Sequence, residues 1–257
     1  MDAQGNASRQ SIDERLSLVE EYANKTSGEN SFFQNPSVAN ATPAMANTLN
    51  KLFNKYRDSP EESPDTIGVE GAMKYLGDLG VNLDEVTVLA ISEALQAPTM
   101  GEFNREGFVD GWRSLDADTI PNQQAAVSQL RANLTADREL FKRVYKYTFF
   151  LARLPGQKAV ALDAAIEYWR LLFQPPSVSW NTDETPWLDW FIEFLQSRWK
   201  KTVNRDMWDM TYVFFQRSTE DESMSWWDEN GAWPGVLDDF VLYVREKRGQ
   251  DGRMDVE

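Results

Sequence analysis

Between Met45 and Tyr56 the apolar side chains Met45, Leu49, Leu52, Phe53 and Tyr56 recur at spacings of three and four, which gathers them on one face of an α-helix. That spacing returns along most of the chain. Helices are predicted over IGVEGAMKYLGDL, DEVTVLAISEAL and FNREGFVDGWRSL, and then over 121–134, 137–153, 160–173, 186–201, 205–217 and 234–247. Earlier, Ser11 and Glu14 have capping-box spacing at the head of one short amphipathic helix. Strand alternation is nowhere sustained. Breakers fall where helices should stop, at LPGQ (154–157), QPPS (174–177) and the acidic TEDES ahead of Trp226, and Thr185 followed by Pro186 predicts a cap and a first turn. No repeat on the order of 20–50 residues is present. The expectation is an all-α fold in two lobes that meet near residue 118.

The residue types that are missing restrict the chemistry. The 257 residues contain no Cys and no His, so there is no disulfide framework, no thiolate zinc site, no thioester-forming thiol and no imidazole base. No paired-carboxylate or Ser/Lys motif takes their place, and no metal or cofactor is expected. The formal charge of -15, from 26 basic and 41 acidic residues, disfavours nucleic acid and anionic membranes and favours a basic protein partner. No apolar run approaches the roughly 18–20 residues of a membrane span, and the opening segment lacks a signal-peptide core. A soluble intracellular protein, in nucleus and cytoplasm, is expected.

The helix pairs around 45–78 and 84–115 resemble EF-hands in layout, and ligand spacing tests the likeness. With Ile67 at the apolar eighth position of such a loop, Pro60 stands first, Asp65 replaces the glycine and Gly71 replaces the bidentate glutamate. With Phe103 in that role, Gln96 stands first and Gly107 last. Neither loop has a chelating set, so both pairs are expected to be metal-free scaffolds.

The most specific stretch is DENGAWPGVLDDFVLYVREKR, residues 228–248. Trp233, Val236, Leu237, Phe240 and Val244 fall on one helical face, so Asp238 and Asp239 are expected on the watered side, with Pro234 in the first turn. In the preceding helix Trp208, Tyr212 and Phe215 share a face and Asp206 points away from it. Acids at helix starts can simply favour the macrodipole, by about 0.3–1 kcal/mol. Together with Asp228 and Glu229 they could instead form a negative surface.

SFFQNPSV (31–38), LPGQKAVALDAAIEYWRLLF (154–173), DMWDM (206–210) and GAWPGVLDDFV, in that order, resemble the defective in cullin neddylation family, in a fungal-type form. The resemblance spans about residues 31–248, the potentiating-neddylation domain, with an N-terminal lobe over 31–118 and a C-terminal lobe over 119–248. Residues 1–30 form a tail with one short helix, too short for the ubiquitin-associated domain that many members carry, and 249–257 form a polar tail.

The resemblance implies a scaffold-type co-ligase without a catalytic residue of its own. It would hold the C-terminal winged-helix region of a cullin beside the N-acetylated neddylation conjugating enzyme, with a RING subunit nearby, and would act as a monomer that activates cullin-RING ubiquitin ligases. The family's acidic cullin-binding patch maps to Asp206, Ala232 and Asp238, joined by Asp239. The interval from Asp206 to Ala232 is slightly longer than the family pattern, which places a difference near residues 219–227. The pocket for the acetylated terminus maps to Val69, Ala72, Val88, Leu89, Phe103, Phe108, Leu151 and Leu171. Acetylation removes a positive amine that an apolar pocket would not tolerate. The alternative is an EF-hand-like peptide-binding or sensor module unrelated to cullins.

Overall fold

The computed structural model describes residues 43–254. The helix expected after Ser11 and the SFFQNPSV segment lie outside the described residues. Those residues fall into two units, one ending at Phe215 and the other starting at Gln216.

The first unit is built from helices joined by short loops and two small antiparallel strand pairs. Its first helix, α1 (Pro43–Tyr56), buries Leu49, Phe53 and Tyr56, the three- and four-residue stripe read from the sequence. A loop leads to β1 (Thr66–Ile67) and α2 (Val69–Asp78), and α3 (Thr87–Ala94) is followed by β2 (Phe103–Asn104) and α4 (Arg105–Ser114). β1 pairs with β2 through Thr66 opposite Asn104 and Ile67 opposite Phe103, so the two helix-loop-helix pairs are clipped together at their loops. Gly71 is required where α2 crosses the end of α1, because a Cβ there would lie 1.9 Å from the Tyr56 carbonyl oxygen. α1 packs mainly on α4, and Phe53, Tyr75 and Phe108 meet edge-on or tilted with centroids 5.2–5.4 Å apart.

α3 is buried from Thr87 to Ser92, as an apolar helix covered on several sides should be. It packs on α5 (Ile120–Ala136) and α6 (Arg138–Ala152). The Thr119 hydroxyl accepts from Asn122 N at 3.4 Å to cap α5, and the Asp137 carboxylate accepts from Glu139 N and Leu140 N at 2.9 and 3.0 Å to cap α6. Gln123 is fully buried, which is tolerable because its amide accepts from Tyr75 Oη at 2.7 Å and donates to the Ala117 carbonyl at 3.2 Å.

The same strand-then-helix arrangement recurs further on. β3 (Ala159–Val160) leads into α7 (Leu162–Leu172), and α8 (Trp187–Phe194) runs through a π turn over Leu195–Trp199 to β4 (Val203–Asn204) and α9 (Arg205–Glu220). β3 and β4 pair antiparallel, Ala159 opposite Asn204 and Val160 opposite Val203. The cap expected at Thr185 is displaced. Pro186 holds the N-cap position with no side-chain bond of its own, and Leu188 N donates instead to the side-chain Oδ1 of Asn181 in the preceding loop at 2.8 Å.

In the second unit a loop carries three tryptophans into α10 (Gly235–Met254). Trp226, Trp227 and Trp233 pack together, the last two stacked with centroids 4.9 Å apart. Trp233, Val236, Leu237, Phe240 and Val244 are buried, as are Val241 and Tyr243. The elements establish an all-α fold. Among the described residues no helix is long and apolar enough to cross a membrane.

Candidate functional site

The first turn of α9 is fixed by aromatic packing. Trp208 is fully buried and lies parallel to Trp169 of α7, with centroids 5.0 Å apart and planes 15° apart. Its indole N–H donates to the Tyr145 carbonyl at 3.0 Å, while Tyr145 Oη donates to the Trp208 carbonyl at 2.8 Å and accepts from Trp169 Nε1 at 2.9 Å. Burial holds the Tyr145 phenol well above the ordinary tyrosine range, with the Trp169 bond pulling the other way. The Asn204 side chain, at the end of β4, accepts from Met207 N at 2.8 Å and starts the helix as a cap.

This scaffold leaves Asp206 exposed, on the side away from Trp208, as its spacing requires. One turn on, Asp209 is half-buried and paired with Arg205 at 3.5 Å. Burial raises its pKa above the usual carboxylate value, and the charges of Lys146 and Arg205 oppose that rise. Asp209 was not singled out from the sequence, although its place in DMWDM, three residues after Asp206, sets both acids on one side of the helix.

In the second unit the loop before α10 is organised by Asp221. Its carboxylate accepts from the backbone and hydroxyl of Ser223 at 3.0 and 2.5 Å and from those of Ser225 at 3.1 and 2.5 Å, which lowers its pKa. The Trp226 indole donates to the Asp221 carbonyl at 3.1 Å. Ala232 is buried, and the Pro234 carbonyl accepts from Leu237 N at 2.8 Å to begin α10. Asp239 is exposed, but Asp238 is half-buried, a correction to the fully watered position expected from periodicity. One of its carboxylate oxygens, Oδ1, is shut away from solvent. Asp228 and Glu229 are exposed, Glu229 in an ion pair with Arg245 at 2.7 Å.

The apolar residues assigned to a pocket divide by burial. Ala72, Val88, Leu89, Phe103, Phe108 and Leu151 are buried, Leu171 is half-buried, and Val69 is 53% exposed at the start of α2. Phe103 and Phe108 both reach Tyr75, while Leu151 and Leu171 sit on the packed pair α6 and α7. Met73, Phe150 and Leu154 are also exposed and were not among the residues read as binding. The signal for Met73 was its place one turn after Val69.

A family model described as "Cullin binding" matches residues 122–243. The chain is 36% identical over 227 residues to a protein of Pyricularia oryzae named Defective in cullin neddylation protein 1, covering 84% of this chain and 80% of that one. It is 34% identical over 209 residues to the protein of that name from Yarrowia lipolytica, covering 81% and 82%. It is 32% identical over 256 residues to that of Cryptococcus neoformans, covering 92% and 90%.

The chain belongs to the defective in cullin neddylation family.

The segment matched by the family model runs from α5 into α10 and takes in Asp206, Ala232, Asp238 and Asp239, with Leu151 and Leu171. Val69, Ala72, Val88, Leu89, Phe103 and Phe108 precede it. The four residues of the expected acidic patch therefore stand in the part of this family member that the "Cullin binding" description covers.

Proposed function

We propose that this protein is a non-catalytic co-ligase that promotes neddylation of cullins, gripping a basic surface near the acceptor lysine through Asp206, Ala232, Asp238 and Asp239. The observation that carries the reading is the match described as cullin binding, which covers all four. The relatives' shared name supports the neddylation pathway. A chain without cysteine or histidine suits a partner that borrows its reactive thiol, because orienting two reactants accelerates their reaction without touching the reacting atoms.

In the finer reading the cullin contact is its C-terminal winged-helix region, and the N-acetylated terminus of the conjugating enzyme docks as a helix among Val69, Ala72, Val88, Leu89, Phe103, Phe108, Leu151 and Leu171. Individual exposed ion pairs contribute about 0–1 kcal/mol, so several acids must act together. The helical turn that carries Asp206 is anchored by the Trp208–Tyr145–Trp169 network, so little backbone freedom is lost when it meets a cation.

A reconstituted cullin-modification assay tests the proposal with wild type, Asp206→Arg, Asp238→Asn and Asp238→Arg. Wild type should stimulate modification. Asp206→Arg, whose side chain is exposed, should weaken cullin binding about tenfold, or about 1.4 kcal/mol, with an unchanged melting curve. Because Asp238 is half-buried, the isosteric Asn variant guards against a misfolded Arg variant. Absence of stimulation by the wild type, or full affinity in a folded Asp206→Arg/Asp238→Asn protein, would overturn the reading.

A further inference from the structure

The loop between α1 and β1 reads DSPEESPD, residues 58–65, and places two Ser-Pro dipeptides, Ser59-Pro60 and Ser63-Pro64, on an exposed stretch. Among the described residues, the threonine of the Thr185-Pro186 dipeptide is buried. Ser63 N donates to the Ser59 carbonyl at 2.8 Å and Thr66 N donates to the Ser63 carbonyl at 3.2 Å, so Ser63 sits between two turns.

Two arginines converge on the residue after it. The Pro64 carbonyl accepts from Arg105 Nη2 at 2.7 Å and from Arg57 Nη1 at 3.1 Å. Arg105 spreads its remaining donors over Asp65 Oδ1 at 2.6 Å, Asn50 Oδ1 at 3.0 Å and Asn54 Oδ1 at 2.9 Å, and its guanidinium lies 4.4 Å from the Phe53 ring centroid. Arg57 is less well served. Its Nε is shut away from solvent with no acceptor, a costly arrangement for a charged donor. Beside these groups opens a cavity of about 510 Å³ whose lining includes Asn50, Asp65, Arg105, Glu106, Val109 and Asp110.

We infer that Ser63 is a phosphorylation site for a proline-directed protein kinase, and that the phosphoserine re-pairs Arg57 and Arg105. In the transfer the Ser63 hydroxyl oxygen attacks the γ-phosphorus of ATP, the bond from that phosphorus to the ADP oxygen breaks, and the hydroxyl proton passes to the kinase's base. The new group carries about -1.5 to -2 charge and three acceptor oxygens. Adjacent Cα atoms lie about 3.8 Å apart, so the phosphate forms on the residue next to the one whose carbonyl both guanidiniums hold. It supplies the acceptor that Arg57 Nε lacks and competes with Asp65 for Arg105. Ser59 has the same dipeptide but lies across the turn, with no arginine bonded to Pro60 among the described contacts.

The charges facing the phosphate act in opposite directions. Asp58, Glu61, Glu62 and Asp65 of the loop, with Glu106 and Asp110 of α4, favour the protonated phosphate, whereas Arg57 and Arg105 favour the dianion. The second ionisation, near pH 6 in an unpaired phosphoserine, therefore reports which set dominates.

The full chain is incubated with ATP and a proline-directed kinase and mapped by peptide mass spectrometry beside Ser63→Ala and Ser59→Ala. Phosphate should appear on Ser63, persist in Ser59→Ala and vanish in Ser63→Ala. The phosphorylated chain is then titrated by phosphorus NMR against a phosphopeptide of residues 58–67, with Arg57→Gln as control because that side chain makes a single bond to the loop and Arg105 makes several. The midpoint should lie below the peptide's and move back up in Arg57→Gln of unchanged melting temperature. No phosphate on Ser63, or equal phosphate on Ser59, would overturn the site. A midpoint at or above the peptide's would overturn the arginine pairing.

Discussion

Tyr56, Lys55 and Asp78 show how one carboxylate can tie two helices. Tyr56 Oη donates to Asp78 Oδ2 at 2.5 Å, and Lys55 Nζ reaches the Tyr56 oxygen at 2.8 Å and Asp78 at 3.2 Å. The tyrosine and lysine bonds hold Asp78 below the ordinary aspartate range, while burial and the Asp78 bond raise the Tyr56 phenol above the ordinary tyrosine range. A depressed folded pKa stabilises the native state above the unfolded value, and the gain is lost as pH falls through the folded value. Asp78→Asn should therefore lower the melting temperature at pH 7, and the gap to wild type should close in acid once the pH has fallen below the ordinary aspartate range. Thermal melts at several pH values check this, and a gap that persists undiminished in acid would show that packing carries the effect. None of these three residues was singled out as a pair from the sequence, because Tyr56 and Asp78 are joined only by the crossing of α1 and α2. Asp206 was legible, since its distance from Trp208 settles which side of the helix it takes. Asp238 was legible in place but not in degree of burial.

At the scale of elements, helix positions followed from apolar spacing, whereas the two strand pairs did not. A strand of two residues is too short to show alternation, and its existence depends on a partner far along the chain, as Ile67 depends on Phe103 and Val160 on Val203. The device they share is visible once the structure is known. Asn104 at the end of β2 caps α4 by accepting from Gly107 N at 2.7 Å, and Asn204 at the end of β4 does the same for α9 through Met207 N at 2.8 Å. Each asparagine serves as ladder residue and cap together. Replacing a cap of this type by alanine costs about 1 kcal/mol, so Asn204→Ala should destabilise by that amount, measured by urea unfolding. Asn204→Asp, which keeps the acceptor, should restore most of it. Equal losses in both variants would mean the amide N–H groups of Asn204 matter more than its oxygen.

The whole chain carries a net charge of -15, and charge of one sign in excess repels like surfaces and attracts basic ones. If cullin association rests on exposed carboxylates such as Asp206 and Asp239, the association rate should fall as ionic strength rises toward 1 M, where the screening length is about 3 Å, while dissociation changes less. Stopped-flow kinetics on the full chain and a cullin C-terminal fragment would show it, and a salt-independent rate would point to apolar contact instead. The family was legible from ordered motifs such as LPGQK, IEYW and AWPGVLDDF, since several of these residues must pack or cap at fixed places. Trp169 and Trp208 are buried where those motifs and DMWDM require it. The loop around Asp221, with its serine bonds and tryptophan neighbours, followed no helical period and could be read only from coordinates.

The parallel indoles of Trp169 and Trp208, 5.0 Å apart, have an optical consequence. Two chromophores so near and so nearly aligned share their excitation, and their combined circular dichroism depends on the angle between them. The turn that carries Asp206 is thus built onto its own unlabelled gauge, and any guest that tilts that turn writes its arrival into the ultraviolet spectrum.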